Sequence, residues 1–296
     1  MRILRSGAWL CSCALLAAAA FSNAAHAHRP AVTLDPAVVE AGSPELIRVT
    51  APASAAVAGE WLGQKLVFFR GHNPHAWYAL AGVDVKAAVG PSTLRVAVRR
   101  ANGRTSSLRR SVAIGEAHYR TETLSVAPKF VSPAPEQLKR ILAEITLKKS
   151  IFAASAPAPL WSGDFRAPVD APPTDSFGTR RVFNGQLASV HEGMDFLAPV
   201  GTPVRASNDG VVVLARPLFF EGNCVILDHG LGLYTISMHL SRIDVQEGER
   251  VHTGDRIGLS GATGRVTGPH LHWAVRWENT HLDPAKLLRL HLGGVR

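Results

Sequence analysis

The sequence predicts a mainly β protein: a small β-sandwich-like unit, one connecting helix, and a second unit of antiparallel β-sheet at the C-terminal end. Three observations predict it. Short apolar runs bounded by Gly, Pro and Asn recur through residues 28–116. One stripe of helical period follows, between Ser132 and Lys149. From residue 161 onward the chain carries 17 of its 26 glycines and a single lysine, Lys286, with strand-like runs between Gly-rich turns. A length of 296 residues suffices for two ordinary domains, and 46% hydrophobic against 19% charged residues excludes disorder by composition. The net charge of +9 favours a polyanionic neighbour without choosing among nucleic acid, anionic lipid and cell wall.

Residues 1–27 read as a signal peptide. Arg2 and Arg5 form the positive start, Trp9 to Phe21 the apolar run, and Ala25-His26-Ala27 a small-x-small cleavage site. No later stretch reaches spanning length, so an exported chain with no transmembrane segment after cleavage is expected, in the periplasm or outer envelope. Cys11 and Cys13 leave with the segment, and Cys224 is left without an intramolecular partner. It lies in Gly222–Asp228, where it reads as a small hydrophobe in a buried strand.

Within 28–116, strands are expected at Leu46–Val49, Leu66–Phe69, Trp77–Leu80 and Leu94–Val98, with turns at Gly42-Ser43, Gly71–Pro74, Gly90-Pro91 and Asn102-Gly103. Alternating Arg with Val and Ala over 94–100 places the basic side chains on a solvent face. His72 and His75 read as solvated loop histidines. The connecting segment, 117–160, holds the helix. Ser132-Pro133 is its start signal, and Leu138, Ile141, Leu142 and Ile145 form its apolar stripe. Lys139, Arg140, Lys148 and Lys149 read as its solvated face. Residues 154–173, with five prolines, read as a linker or a strap over the next domain.

The C-terminal unit, 161–296, has strand-like runs at Val211–Leu214, Cys224–Leu227, Leu233–Met238 and Leu271–Trp277. Turns are expected at Asn184-Gly185, Asn208–Gly210 and Gly261–Gly264. Here chemistry concentrates. His191 and Asp195 stand four residues apart, and His270 and His272 at i and i+2 share one face of a strand. Three nitrogen or carboxylate donors with one position left to water is the pattern of catalytic zinc. Separate surface histidines remain the alternative for either motif alone. A helical His-Glu-x-x-His site is excluded, because position 195 is Asp and Gly193 weakens a helix. Glu192 is expected to be exposed beside the site.

The segment 176–285 resembles the catalytic domain of lysostaphin/LytM-type zinc metalloendopeptidases, the M23 peptidase family. The resemblance rests on Ser176–Arg181, His191–Asp195, Ala198–Val204, Asp228-His229-Gly230, Met238–Ser241 and Gly264–Trp273, in this order. Residues 28–160 resemble the β-domain and connecting helix that precede this peptidase in Gram-negative members. The resemblance implies one Zn2+ per catalytic domain, held by His191, Asp195 and His272, with His239 and His270 as catalytic histidines that do not bind it. Which histidine takes the proton from water and which stabilises the oxyanion stays open. His229 reads as structural. One departure stands out: family members commonly carry Tyr two residues before the histidine matched by His239, and here Ser237 occupies that position. A tyrosine there would hydrogen-bond the transition state or line the groove. Tyr234 would face the other side of a regular strand.

The implied function is an exported zinc metalloendopeptidase acting on stem or cross-link peptides of peptidoglycan. The alternative is a catalytically inactive LytM-type regulator that activates a cell-wall amidase or serves a division partner; the complete ligand set argues against it. A lipoyl-type carrier, suggested by Val204–Val212 and Val245–Val251, fails for want of a lysine at a hairpin tip. Nucleic-acid binding fails for want of interleaved aromatic and basic residues. The architecture leans towards D-Ala–diaminopimelate cross-links, with glycine bridges as the other candidate. The Pro-rich strap is close enough in sequence to cover the site, which would make the chain latent.

Overall fold

The computed structural model describes residues 30–117, 119–124, 133–183 and 187–295. The expected signal peptide 1–27, the start signal Ser132 and the turn Asn184-Gly185 lie outside them.

Two sheets form the N-terminal sandwich. One orders Ala31–Asp35, Pro44–Thr50, Ala76–Gly82 and Phe69–Arg70; the other orders Val39–Glu40, Thr105–Gly115, Gly90–Arg99, Ala56–Trp61 and Gln64–Leu66. Period-2 patterning explains the packing. In Gly90–Arg99 the side chains of Leu94, Val96 and Val98 are buried while Arg95 and Arg99 are exposed. They join Trp61 of their own sheet and Ile47, Val49 and Ala79 of the other in one cluster. The expected strand Leu66–Phe69 is divided. Its first residue ends a strand of one sheet and its last begins a strand of the other, because the chain crosses between them at Val67-Phe68. Gly90-Pro91, expected as a turn, instead opens the strand Gly90–Arg99.

The C-terminal half is built on an eight-stranded sheet. Its order is Pro173–Asp175, Met194–Phe196, Leu271–Trp277, Leu233–Leu240, Gly222–Asp228, Gly210–Leu218 and Arg250–Val251, with Thr280–Leu282 paired to Leu271–Trp277. Alternation splits this sheet between two cores. Leu271, Trp273, Val275 and Trp277 enter the cluster shared with the sandwich. The other face presents Leu214, Leu218, Cys224, Ile226, Tyr234, Ile236 and Ala274.

The helix Pro135–Phe152 covers that second face, but not with the expected stripe. Leu138, Leu142 and Ile145 are 46%, 63% and 52% exposed, whereas Leu147, Ile151 and Phe152 pack on the sheet. Tertiary packing overrides the local pattern. The last two turns carry Phe152 edge-on to Tyr234 at 5.0 Å between centroids, and the Tyr234 hydroxyl donates to the Ile151 carbonyl at 3.2 Å. Lys148, expected on a solvated face, is ion-paired with Glu221.

Residues 154–173 run over the opposite face. The Leu160 amide donates to the His229 carbonyl at 2.7 Å, the Leu231 amide to the Ala156 carbonyl at 2.8 Å, and Trp161 is fully buried edge-on to Phe69. The Pro-rich strap therefore ties the two halves together on the side away from the helix and does not lie over the histidine cluster. No helix among the described residues is long and apolar enough to cross a membrane.

Candidate metal centre

Strand register builds the centre. Asp195 lies directly opposite His272 on the neighbouring strand, and His272 opposite Met238 on the next. Direct opposition puts the side chains of Asp195 and His272 on one face at close range. His191 sits just before the strand Met194–Phe196, fixed by its amide donating to the Thr179 carbonyl at 2.7 Å and its carbonyl accepting from the Gly178 amide at 2.8 Å. Gly193 lets the strands close over these side chains: a Cβ there would stand 2.4 Å from His272 Nε2 and 2.8 Å from the Trp273 carbonyl oxygen.

The three side chains converge. His191 Nε2 is 3.1 Å from Asp195 Oδ1 and 3.0 Å from His272 Nδ1, and His272 Nδ1 is 2.8 Å from Asp195 Oδ1. These separations are near the ~3.3 Å between donors of a tetrahedral zinc with bonds of ~2.0–2.1 Å. The donor set, two imidazoles and a carboxylate, also fits zinc. It is the one group among the described residues whose His, Cys, Asp or Glu atoms meet within metal-binding distance. His191 Nδ1 faces two acceptors, the Ser176 carbonyl at 2.9 Å and Asp175 Oδ2 at 3.0 Å. The proton of neutral His191 therefore sits on Nδ1, leaving the Nε2 lone pair for a metal.

His239 and His270 stand beside this triangle, their ring centroids 5.0 Å apart and that of His239 5.9 Å from His272. Regular alternation would send His239 to the face opposite Met238. Its left-handed backbone, φ +63°, carries it instead into the same groove as Met238. Each of the two rings binds a carbonyl through Nδ1: Thr263 at 2.9 Å for His239 and Gly268 at 2.8 Å for His270. In both neutral rings Nε2 is then the acceptor.

Electrostatics separates these groups. Burial alone would raise the Asp195 carboxyl, but the hydrogen bonds and charge that the His191 and His272 rings offer when protonated hold it well below the usual carboxylate range. Burial would likewise lower His191, yet hydrogen bonds to Asp175 and Asp195 raise it above the ordinary histidine value. Burial pushes His272 down to about 4, against the pull of Asp195. His239 is pushed down to about 3 by burial and by the neighbouring His272 and His270.

The centre opens into a groove of about 960 Å³. Met238 and Ile236 line it from the sheet, Glu221 and Arg265 from the loops, and Lys148 and Phe152 from the helix. Glu192 is exposed at the rim, 3.6 Å from His281. His229 is apart from the centre and fully buried, bonded to the Asp209 carbonyl and the Thr235 hydroxyl, each at 2.8 Å. Cys224 is fully buried among apolar side chains, and burial pushes its thiol well up. Ser237 does not reach the groove. It lies between Val225 and Trp273 on the face of the larger core, so the departure from the family tyrosine is a packing change and not the loss of a groove residue.

Sequence reading missed the layer behind these three side chains. Asp175 lies opposite Asp195 on the other neighbouring strand, and Arg181 Nη2 donates to Asp175 Oδ2 and Asp195 Oδ2, each at 2.5 Å. No spacing rule links positions 175, 181 and 195. Only the pairing of distant strands brings them together.

Comparison with known proteins agrees with this geometry. The profile of Peptidase family M23 matches residues 189–284. Peptidoglycan DD-endopeptidase ShyA of Vibrio cholerae is 48% identical over 111 residues, which cover 36% of this chain and 26% of ShyA. DD-carboxypeptidase/endopeptidase Mpg of Neisseria meningitidis is 43% identical over 98 residues, covering 33% of this chain and 23% of Mpg. The matched stretch thus spans about a quarter of the length of these curated relatives. A crystal structure from Pseudomonas aeruginosa assigned to peptidase M23 aligns with 80% of this chain and 94% of its own, at 31% identity and a TM-score of 0.60. That alignment covers far more than the C-terminal unit 161–296 alone, and with it the chain is placed in peptidase family M23.

Proposed function

We propose that this chain is an exported zinc metalloendopeptidase that hydrolyses peptide cross-links of peptidoglycan in the periplasm or outer envelope. The observation that carries the reading is the convergence of His191, Asp195 and His272 beside two further histidines, in a groove of about 960 Å³. The peptidoglycan substrate is supported by relatives that are named as peptidoglycan DD-endopeptidases.

Zinc held by His191, Asp195 and His272 would supply Lewis acidity, polarising the scissile carbonyl and bringing the pKa of water towards ~7. The chain's own residues divide the proton work. With Nδ1 of each ring held by a carbonyl, the neutral forms of His239 and His270 carry their lone pair on Nε2, so either can accept the proton of an attacking water. Once protonated, the same nitrogen becomes a donor to the leaving amine or to the oxyanion. Burial disfavours the charged form of His239, so a proton taken there is readily passed on. Phe152 and Lys148 wall one side of the groove and would confine a peptide over the sheet.

The test is digestion of intact sacculi by the full mature chain of known zinc content, beside His272→Ala and a chelator-treated sample. Uncross-linked peptides released by the wild type alone, identified by mass, are expected and name the bond. Zinc-loaded protein that releases nothing would favour the amidase-activating regulator.

A further inference from the structure

Two carboxylates, Asp175 and Asp195, lie directly opposite each other on adjacent strands, and both are buried. Like charges so placed repel, and burial strengthens the repulsion, so something must offset it. Arg181 does: one nitrogen, Nη2, donates to Oδ2 of each carboxylate at 2.5 Å. Its side chain is only 16% exposed, so solvent screens the contact weakly. Asp175 is held from further directions. Its Oδ1 accepts from the Ser176 amide at 2.8 Å, the Thr179 hydroxyl at 2.9 Å and Arg120 at 2.7 Å. So many fixed donors aim its remaining oxygen, Oδ2, at His191 Nδ1, 3.0 Å away.

Asp195 is divided between two tasks. Its Oδ1 is the atom within 3.1 Å of His191 and 2.8 Å of His272, while its Oδ2 is taken by Arg181. An unrestrained carboxylate can turn both oxygens to a metal and fill the position that a catalytic site leaves open for water. Here the guanidinium holds the second oxygen away.

We infer that Asp175 and Arg181 are a positioning pair for the metal centre: Asp175, beside the Ser176 carbonyl, fixes the tautomer and ring orientation of His191, and Arg181 restricts Asp195 to ligation through Oδ1. The inference rests on His191, Asp195 and His272 being a metal site. Neither residue touches substrate; both act through ligands, as outer-shell partners of metal-binding histidines and carboxylates do.

The experiment uses the full mature chain and its variants Asp175→Asn, Arg181→Lys, Arg181→Met and the double change Asp175→Asn with Arg181→Met. Zinc affinity is read by competition with a chromophoric chelator, and cobalt substituted for zinc reports coordination number through its visible absorption. Asp175→Asn is expected to weaken zinc roughly 10–100-fold. Arg181→Met is expected to lower the intensity of the cobalt bands, as a second carboxylate oxygen joins the metal, and Arg181→Lys to restore part of it. The double variant removes the unbalanced buried charge that Arg181→Met alone would leave. It keeps the test open if that single variant does not fold, and it is expected to retain the loss in affinity. Zinc affinities of Asp175→Asn and the double variant within twofold of wild type, with an unchanged cobalt spectrum, would overturn the pair and leave the metal site standing. Wild type that binds no zinc, or binds it as tightly after His191→Ala, would overturn the metal reading and the pair with it.

Discussion

Gly193→Ala isolates the geometry of the centre with a single methyl group. The added Cβ would lie 2.4 Å from His272 Nε2, 2.6 Å from its Cε1 and 2.8 Å from the Trp273 carbonyl oxygen. Ordinary contact begins near 3.4 Å, so the imidazole would have to retreat by about 1 Å, since the carbonyl belongs to a paired central strand. Metal sites tolerate about 0.2 Å in ligand position, so His272 would leave the coordination sphere before the strand yields. The expected loss in zinc affinity is at least ~10–100-fold, the range found when a ligand's support is removed. Overpacking should cost the apo fold about 1–3 kcal/mol. Zinc competition and thermal melting of the apo protein read the two effects separately. Gly268→Ala is the control, because a Cβ there meets nothing within 4 Å. Zinc bound by Gly193→Ala within twofold of wild type would refute the close approach and the ligand assignment that depends on it.

Other perturbations probe the rest of the molecule. Glu45 is fully buried, with Ser43 donating to it at 2.7 Å, and burial raises its pKa to about 8. Its folded value exceeds the unfolded one, so this group's contribution is intact below about pH 4.5 and is lost as pH rises through about 8. Glu45→Gln should therefore raise the melting temperature at pH 8.5 relative to wild type, by at most about 5 kcal/mol of stability, and change little at pH 4.5; equal gains at both would contradict the assignment. His229 behaves oppositely: burial lowers it to about 4, so stability is lost as pH falls from about 6.5 to about 4, and His229→Gln should flatten that part of a melting profile. Phe152→Ala removes the edge contact with Tyr234 and the stacking of Arg276 at 4.3 Å, and should destabilise by roughly 2–4 kcal/mol in urea unfolding; a loss below ~0.5 kcal/mol would show that the helix is not held there. Ser237→Tyr, which installs the common family residue, should destabilise by about 1–3 kcal/mol and leave kcat no higher, because the position faces the core.

What was legible in the sequence was the local chemistry. His191 with Asp195, and His270 with His272, are short motifs whose spacing states which donors are available. The mainly β character follows from runs such as Leu94–Val98, whose alternation is the alternation of burial. What was not legible is set by distant pairing. The opposition of Asp175, Asp195 and His272 depends on strands separated by 77 residues between Asp195 and His272. The inward turn of His239 depends on a left-handed backbone that no residue type announces. The helix lies where the pattern places it, and only its buried face differs, for a related reason. Leu138, Ile141, Leu142 and Ile145 make the better stripe in isolation, but the sheet offers a pocket only to the last two turns, where Leu147, Ile151 and Phe152 fit. Position 237 carries the same lesson, since its side of the strand follows from its partners Val225 and Trp273 and not from its own identity.

The most direct measurement is cleavage of a purified cross-linked muropeptide dimer by the zinc-loaded full chain, beside His239→Ala and His270→Ala loaded with the same metal. The expected result is two monomers whose summed mass exceeds the dimer by one water, with turnover lost in both variants while their zinc content equals that of wild type. An intact dimer with the fully loaded wild type, or undiminished turnover in both histidine variants, would contradict a hydrolytic centre built on these five side chains.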